Sequence, residues 1–337
     1  MNNEMINLWF GLKPQERIEI FTETGNRMGL PASAVEKDWW VTAALGIVFS
    51  LPYGNHMAFK GGTSLSKGWN LIERFSEDID LAIDRSSLGF DGPMSKSRVK
   101  QLRKSSCAFI SGEFLSALIS KSIEAALPFV SIAVQKFKDT DTDPLVIELG
   151  YNSLTSDAPY LKPRVLIEIG ARSMMEPCED IAIQSFIGSH FSDKEFADNP
   201  FIVPTVLPKR TFLEKAFLLH EEFQKPVAKI RIDRLSRHLY DLDRLSGTIH
   251  CEEALSDFPL YQSIIEHRER FNLVRGINYA NHLPDKIRFV PPPEVLKIWE
   301  ADYSSMKESM IFGKSKEFND LITSIENLNK RFNAIKF

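Results

Sequence analysis

Cysteine is scarce in this chain: Cys107, Cys178 and Cys251 are the only three in 337 residues, and no CxxC spacing occurs. That odd, scattered set excludes a disulfide framework and a thiolate zinc site, and points to a reducing, cytoplasmic setting. Long hydrophobic runs are missing too. The longest, Trp39 to Leu51, falls short of the roughly 20 apolar residues that span a bilayer, so no membrane is expected as a partner and a buried helix accounts for it. The opening residues MNNEMINLWFGLKPQER lack a basic region, an apolar stretch and a small-residue cleavage site in that order, so no secretory signal is expected. Nor is there an excess of positive charge. A formal charge of −4 rules out a basic nucleic-acid coat over the whole surface while leaving room for local phosphate-binding patches. No internal repeat or low-complexity tract occurs.

What is present is an ordinary globular balance, 43% hydrophobic and 26% charged, in a chain long enough for two domains. Pro14 to Leu51 reads as two helices broken at GLPAS by Gly29 and Pro31. His56 to Lys60 has strand character. Leu65, Trp69 and Ile72 recur at helical spacing, and Asp78 to Ile83 alternates as a half-buried strand does. Val99 to Leu127 reads as helix, and strand-like runs at Val130 to Phe137, Leu145 to Tyr151 and Arg164 to Ile169 suggest an antiparallel extension of a sheet. The three prolines of Pro200 to Pro208 mark a linker to a mainly helical unit, whose first helix is expected to begin with a capping box at Thr211 and Glu214. From Ile232 to Leu245 an apolar stripe of Ile232, Leu235, Leu239 and Leu242 opposes Arg234, Arg237, His238 and Asp241. A terminal amphipathic helix carries Phe318, Leu321, Ile325, Leu328 and Phe332.

The chemistry concentrates in KGGTSLSKGWNLIERFSEDIDL, Lys60 to Leu81. In a strand, residues two apart share a face, so Asp78 and Asp80 present carboxylates about 6–7 Å apart at the backbone. Such a pair suits Mg²⁺ or Mn²⁺, which binds oxygen and commonly combines one or two carboxylates with substrate phosphates. Gly61 and Gly62 lack a Cβ, so phosphate oxygens can approach their N–H groups, and Thr63 offers a hydroxyl. A helix starting beside the glycines would add its positive end. Gly-Gly alone is usually a turn, and Asp-x-Asp alone a solvated strand edge. Their order, strand then Gly-Gly-Thr then helix then Asp-Ile-Asp in a strand, points to a metal-bound nucleoside triphosphate.

With these words the chain resembles the AbiEii/AbiGii toxin nucleotidyltransferases, a branch of the polymerase-β-like superfamily. The matching stretches are EKDWW (36–40), FKGGTSLSKGW (59–69), RFSEDIDL (74–81), RTFLEKAFLLHEEF (210–223) and RLSRHLYDL (234–242). The resemblance implies an α+β fold: a nucleotidyltransferase domain with a mixed sheet over residues 1–200, its first segment helical, and a mainly helical domain over 201–337 that completes the active-site cleft. It also implies an NTP-using toxin with a cognate antitoxin, and RNA, foremost the tRNA 3′ end, as acceptor. Nucleotide transfer to a protein or small molecule, and NTP binding without turnover, remain the alternatives.

The same resemblance implies a third carboxylate from a neighbouring strand. Glu168 in PRVLIEIGARS is preferred and Glu148 in LVIELGY stays open, against the plainer reading of an ion pair at a sheet edge. It places a phosphate-binding role on Lys215, which on its residues alone reads as a surface lysine paired with Glu214 or Glu222. Asp241 takes an active-site role, as base, orienter or nucleotide contact, against a plain helix salt bridge with Arg237. Arg237 and Arg234 are candidates for phosphate or RNA, whereas His238 stands where relatives carry an acid, which puts its role in doubt. In EKDWW, Glu36 and Asp38 are expected to begin a helix whose Trp39 and Trp40 fill the interface between lobes, with base stacking by Trp40 as the weaker reading. Between Lys209 and Arg244, nine basic residues face six acidic ones. Part of that surplus is expected to line the cleft and hold RNA phosphates.

Overall fold

The computed structural model describes residues 3–76, 78–155, 161–272 and 274–336. The chain forms two compact units, one of residues 1–69 and 75–206, the other of residues 70–74 and 207–337. The first opens with three helices, α1 (Asn3–Gly11), α2 (Pro14–Met28) and α3 (Ala32–Ser50). The break between α2 and α3 falls where expected: Gly29 takes a left-handed φ of 70° that closes α2, and Pro31 is the N-cap of α3. The EKDWW residues lie inside α3 instead of starting a helix. Trp39 stacks on Trp9 at 5.4 Å and Trp40 on Tyr151 at 4.8 Å, so both indoles pack in the core of the first unit.

Seven strands form one mixed sheet in the order β3-β4-β5-β2-β1-β7-β6. They are β1 (Met57–Lys60), β2 (Asp78–Ile83), β3 (Ser131–Val134), β4 (Leu145–Gly150), β5 (Arg164–Gly170), β6 (Cys178–Ile183) and β7 (Phe201–Val206). The pairs β2/β5 and β1/β7 are parallel, and the antiparallel extension expected beyond β5 is present as β4 and β3. Helical segments complete the unit: a short α4 (Gly61–Thr63) continued by a wider turn to Gly68, then α5 (Lys96–Phe109), α6 (Leu115–Glu124) and α7 (Phe186–His190). The class is α+β, as expected.

Two expectations fail here for tertiary reasons. The helix spaced by Leu65, Trp69 and Ile72 stops at Gly68, because the Trp69 indole donates to the Val206 carbonyl at 3.1 Å and Asn70 takes φ 53°. The chain returns to β2 by an irregular stretch. The proline-marked linker is instead β7, registered against β6 from Cys178↔Val206 to Ile183↔Phe201. Pro204 removes one N–H from that strand without dissolving it, since Val203, Thr205 and Val206 are buried.

The second unit contains α8 (Pro208–Phe223), α9 (Ser236–Ser246), α10 (Ile249–Ser256), α11 (Phe258–Phe271), α12 (Leu296–Met310) and α13 (Phe318–Asn333). Pro208 occupies the first turn of α8, where a missing N–H costs little, so Thr211 and Glu214 are internal and no capping box forms. Glu214 pairs with Arg210 at 2.9 Å. α9 starts at Ser236 rather than Ile232, because Arg234 takes φ 58° and Asp302 accepts the Arg234 and Ser236 N–H groups at 2.8 and 3.0 Å. The terminal helix α13 buries Leu321, Ile325, Leu328 and Phe332. Residues 70–74 join this unit: the Glu73 N–H donates to the Tyr240 hydroxyl at 3.2 Å, and its carbonyl accepts the Phe312 N–H at 3.0 Å. Among the described residues no helix is long and apolar enough to cross a membrane.

Buried titratable groups in this unit make its stability depend on acid. Burial, with the neighbouring His282, pushes His220 down to about 4, and burial followed by Lys215 drives His238 well below 6.5. Burial raises Glu221, but hydrogen bonds from Arg268 and then His282 outweigh it and hold the carboxyl at about 2. All three folded-state values are depressed, so their contributions are complete above the unfolded values, near 6.5 for histidine and 4.5 for glutamate. They are lost as pH falls toward the folded ones. Denaturant melts are expected to weaken from pH 6.5 toward 4, with up to about 1.4 kcal/mol per pH unit for each proton. The His220→Gln variant should show a shallower slope in that window. An equally steep slope would remove His220 from the account.

Candidate active site

The first unit gathers the glycines and carboxylates on one sheet face. Lys60 at the end of β1 is registered with Asp80, and Asp80 in turn with Glu168 on β5. Directly registered side chains share a face, and so do residues two apart, so Asp78, Asp80 and Glu168 form an L of carboxylates on the half-buried side of the sheet. Ile79, Leu81, Ile167 and Ile169 point into the core. Glu148 is on the same face but one strand further out, and it is engaged: Arg164 pairs with it at 2.7 Å and Gln135 donates at 3.0 Å. Glu148 carries an ion pair of its own on β4, and the residue registered beside Asp80 on the adjacent strand is Glu168.

Gly61 is required by two features at once. Its φ of 82° is one that residues with a Cβ rarely adopt, and a Cβ there would overlap the Asp80 carboxylate. Thr63 is buried, and its hydroxyl donates to the Asp78 carbonyl at 2.6 Å, tying the glycine turn to β2. From the other side, Lys67 pairs with Asp38 at 2.6 Å, both nearly buried, while Asp38 accepts the Phe186 N–H at 2.8 Å. Glu36 of the same word accepts the N–H groups of Leu154 and Thr155 at 2.8 and 3.1 Å. The charged residues of EKDWW thus brace loops, one of them carrying the glycine turn.

Gly61→Ala is expected to displace the Asp80 carboxylate, which can swing away, at a cost of about 1–2 kcal/mol for the left-handed backbone. Activity should fall much further, about a hundredfold, since a misplaced reacting group costs that much. A thermal melt beside a transfer assay separates the two effects; full activity in this variant would mean that the contact between Gly61 and Asp80 has no part in the reaction.

Asp80 has no hydrogen-bond or ion-pair partner among the described residues, although it is half-buried beside a glycine turn. A carboxylate so placed, with Asp78 on the same face, is an oxygen-donor set that fits a hard divalent cation taking its remaining ligands from phosphate and water. No three acidic, histidine or cysteine side chains come close enough together to hold an ion by themselves among the described residues.

The second unit holds the other cluster. Asp241 is fully buried and accepts two hydrogen bonds from Arg74, at 2.7 Å from Nε and 2.8 Å from the guanidinium tip, while Lys215 Nζ lies 2.8 Å away. The His238 Nδ1 is 3.4 Å from that ammonium. Burial raises the Asp241 carboxyl, but Arg74 and then Lys215 hold it well below the usual carboxylate range. Burial comes first in lowering Lys215, and Arg74 and Arg237 add to it against the pull of Asp241. Asp241 is thus a buried carboxylate shared by two cations, placed to fix the positions of both. Lys215 is neither at the surface nor paired with Glu214 or Glu222, the latter being occupied by Lys225 and Arg231. Arg237 stands near enough to act on Lys215 and His238, but the partners that hold Asp241 are Arg74 and Lys215.

Over residues 47–328 the sequence matches the family described as Nucleotidyl transferase AbiEii toxin, Type IV TA system. The chain belongs to the AbiEii nucleotidyltransferase toxin family. Among solved structures, MenT4, a nucleotidyltransferase toxin from Mycobacterium tuberculosis H37Rv, is 17% identical and aligns over 95% of this chain and 98% of its own, with a TM-score of 0.43. JHP933 from Helicobacter pylori is 16% identical over 89% of this chain and 91% of its own, with a TM-score of 0.42. No curated protein sequence matches.

Arg74 is the residue that sequence reading passes over. It stands in RFSEDIDL, four positions before Asp78, and its signal is weak: an arginine in a loop has no periodicity, and its partner Asp241 is distant in sequence. Only the pairing distances reveal it.

Proposed function

We propose that this AbiEii-family protein transfers a nucleotide from an NTP to the 3′ end of an RNA, foremost tRNA, with release of pyrophosphate. The observation that carries the reading is the Asp80 carboxylate, without a partner among the described residues, seated against Gly61 and in register with Glu168. Asp78 and Asp80, with Glu168 beside them, would hold Mg²⁺ or Mn²⁺, which when bound neutralises phosphate charge and activates the reacting oxygens. The N–H groups of Gly61 and Gly62 take phosphate oxygens. Thr63 keeps the turn against β2. Lys215, oriented by Asp241, supplies positive charge to the triphosphate, with Arg237 as a further phosphate contact. The acceptor hydroxyl oxygen bonds to the α-phosphorus and gives its proton to solvent water as the bond from that phosphorus to the bridging oxygen breaks, whose electron pair leaves on pyrophosphate, so positioning and charge neutralisation do most of the work. A cognate antitoxin, implied by the toxin–antitoxin family, restrains the activity in a cytoplasmic setting.

The test incubates the protein with Mg²⁺, each α-labelled NTP in turn and total tRNA, beside tRNA whose terminal diol has been destroyed by periodate. Label is expected in intact RNA and not in oxidised RNA. Label on protein alone, or on a small molecule alone, would replace the RNA acceptor, and NTP binding without any transfer would replace the enzyme by a regulator.

A further inference from the structure

At least six of the nine basic residues between Lys209 and Arg244 are held in ion pairs: Lys209 with Asp257, Arg210 with Glu214, Lys215 with Asp241, Lys225 and Arg231 with Glu222, and Arg244 with Glu73. Most of the basic side chains expected to supply that surplus are therefore already engaged with carboxylates. Three cations elsewhere in the second unit, Lys286, Arg288 and Lys330, have no ion-pair partner among the described residues, and they line two cavities of about 350 and 510 Å³. Both volumes are in the range of small-ligand sites. The cavities share Phe223 and Arg288 as walls.

Arg288 is an exposed side chain on a clamped backbone. Its N–H lies 3.0 Å from His220 Nδ1, and on either side the buried Asn329 amide accepts the Phe289 N–H at 2.9 Å and donates to the Ile287 carbonyl at 3.0 Å. Asn333 adds bonds to the Pro284 and Ile287 carbonyls at 2.6 and 3.1 Å. The backbone that carries this guanidinium is thus fixed where the two spaces meet, and a fixed anchor point lowers the ordering cost of binding. Phe223 is backed by Trp299 at 5.1 Å. Pro291, Pro292 and Pro293 give the larger cavity a stiff apolar wall, and Gln224 and Asn281 supply amides to the smaller.

We propose that these cavities bind two successive nucleotides of single-stranded RNA, with the phosphate between them on Arg288, a base against Phe223, and Lys286 and Lys330 on the flanking phosphates. Aromatic and guanidinium planes beside amide donors and acceptors are how unpaired bases are held. Each cavity also contains one acid, Asp285 in the smaller and Glu326 in the larger. A carboxylate accepts from base amino groups, which an acidic peptide lacks, so an acid set among these cations fits RNA better than an acidic protein segment. The choice of RNA as the polymer rests on the acceptor reading above; the site itself does not.

Anisotropy of a fluorescein-labelled hexaribonucleotide of mixed sequence, without NTP, tests it. Arg288→Ala is expected to weaken binding about tenfold and to lower the salt slope by about one, with Phe223→Leu also weaker and Lys104→Ala, at an exposed lysine of the first unit, like the parent. The site is overturned by unchanged affinity in Arg288→Ala at matched melts, by no hexamer binding to the parent at about 50 mM salt, or by hexaglutamate competing as well as unlabelled RNA. If labelled NTP never enters RNA while the hexamer still binds through Arg288, the acceptor reading falls and the site stands.

Discussion

Asp80→Asn is expected to fold and melt like the parent and to lose about a thousandfold or more of nucleotide transfer, the scale on which a group that stabilises developing charge is worth. The change keeps the shape of a side chain that makes no hydrogen bond or ion pair among the described residues, so the fold has little to lose. What it removes is a negative charge on the row that Asp80 shares with Glu168. Asp78→Asn should be nearly as severe, and Glu148→Gln much milder, because Glu148 lies on β4, one strand further from Asp80 than Glu168. Matched melts are essential to the comparison. Transfer at the parental rate by Asp80→Asn would abandon the two-aspartate reading, and equal losses for Glu148→Gln and Glu168→Gln would undo the choice between the two glutamates.

The parts of this site that sequence made legible are those built from local pattern. Alternation along Asp78 to Ile83 implies a strand with both aspartates on one side, and β2 has that form; the Gly29 and Pro31 breakers delimit two helices for reasons contained in those residues alone. Local pattern fails where a distant partner decides. Leu65, Trp69 and Ile72 have helical spacing, yet the Trp69 indole is bound to Val206 and the helix ends first. Prolines at 200, 204 and 208 look like a linker, yet six registered pairs with β6 make a strand of the stretch between them. The preference for Glu168 over Glu148 rests on resemblance, since the two strands read alike; that β5 and not β4 lies next to β2 is visible only in the fold. Lys215 and Asp241 are recognisable by family resemblance, but that they share one buried ion cluster with Arg74 depends on three segments brought together by folding.

That cluster leads to the other large effect. Asp241→Ala is expected to destabilise the protein by about 3–5 kcal/mol, because removing one member of a buried pair leaves the opposite charges uncompensated. Arg74 is buried and Lys215 nearly so, and neither can regain water without local rearrangement. Lys215→Ala should cost much less, since the bidentate pair of Arg74 with Asp241 survives it, while transfer still falls by about tenfold or more through loss of charge at the phosphates. Lys225→Ala, which removes one of the cations paired with Glu222, serves as the control with near-parental activity. The sign of the pH dependence separates this account from a catalytic base. The folded Asp241 carboxyl lies below its ordinary 3.8, so its contribution is complete above that value and is lost only as pH falls beneath it; the stability gap between parent and Asp241→Ala should stay level from about pH 5 to 8. Denaturant melts across that range, with NTP titrations of Lys215→Ala, measure both consequences. A gap that closes as pH falls from 8 to about 5 would show Asp241 taking up a proton near neutrality, and would return it to the role of base that its buried pairing with Arg74 and Lys215 argues against.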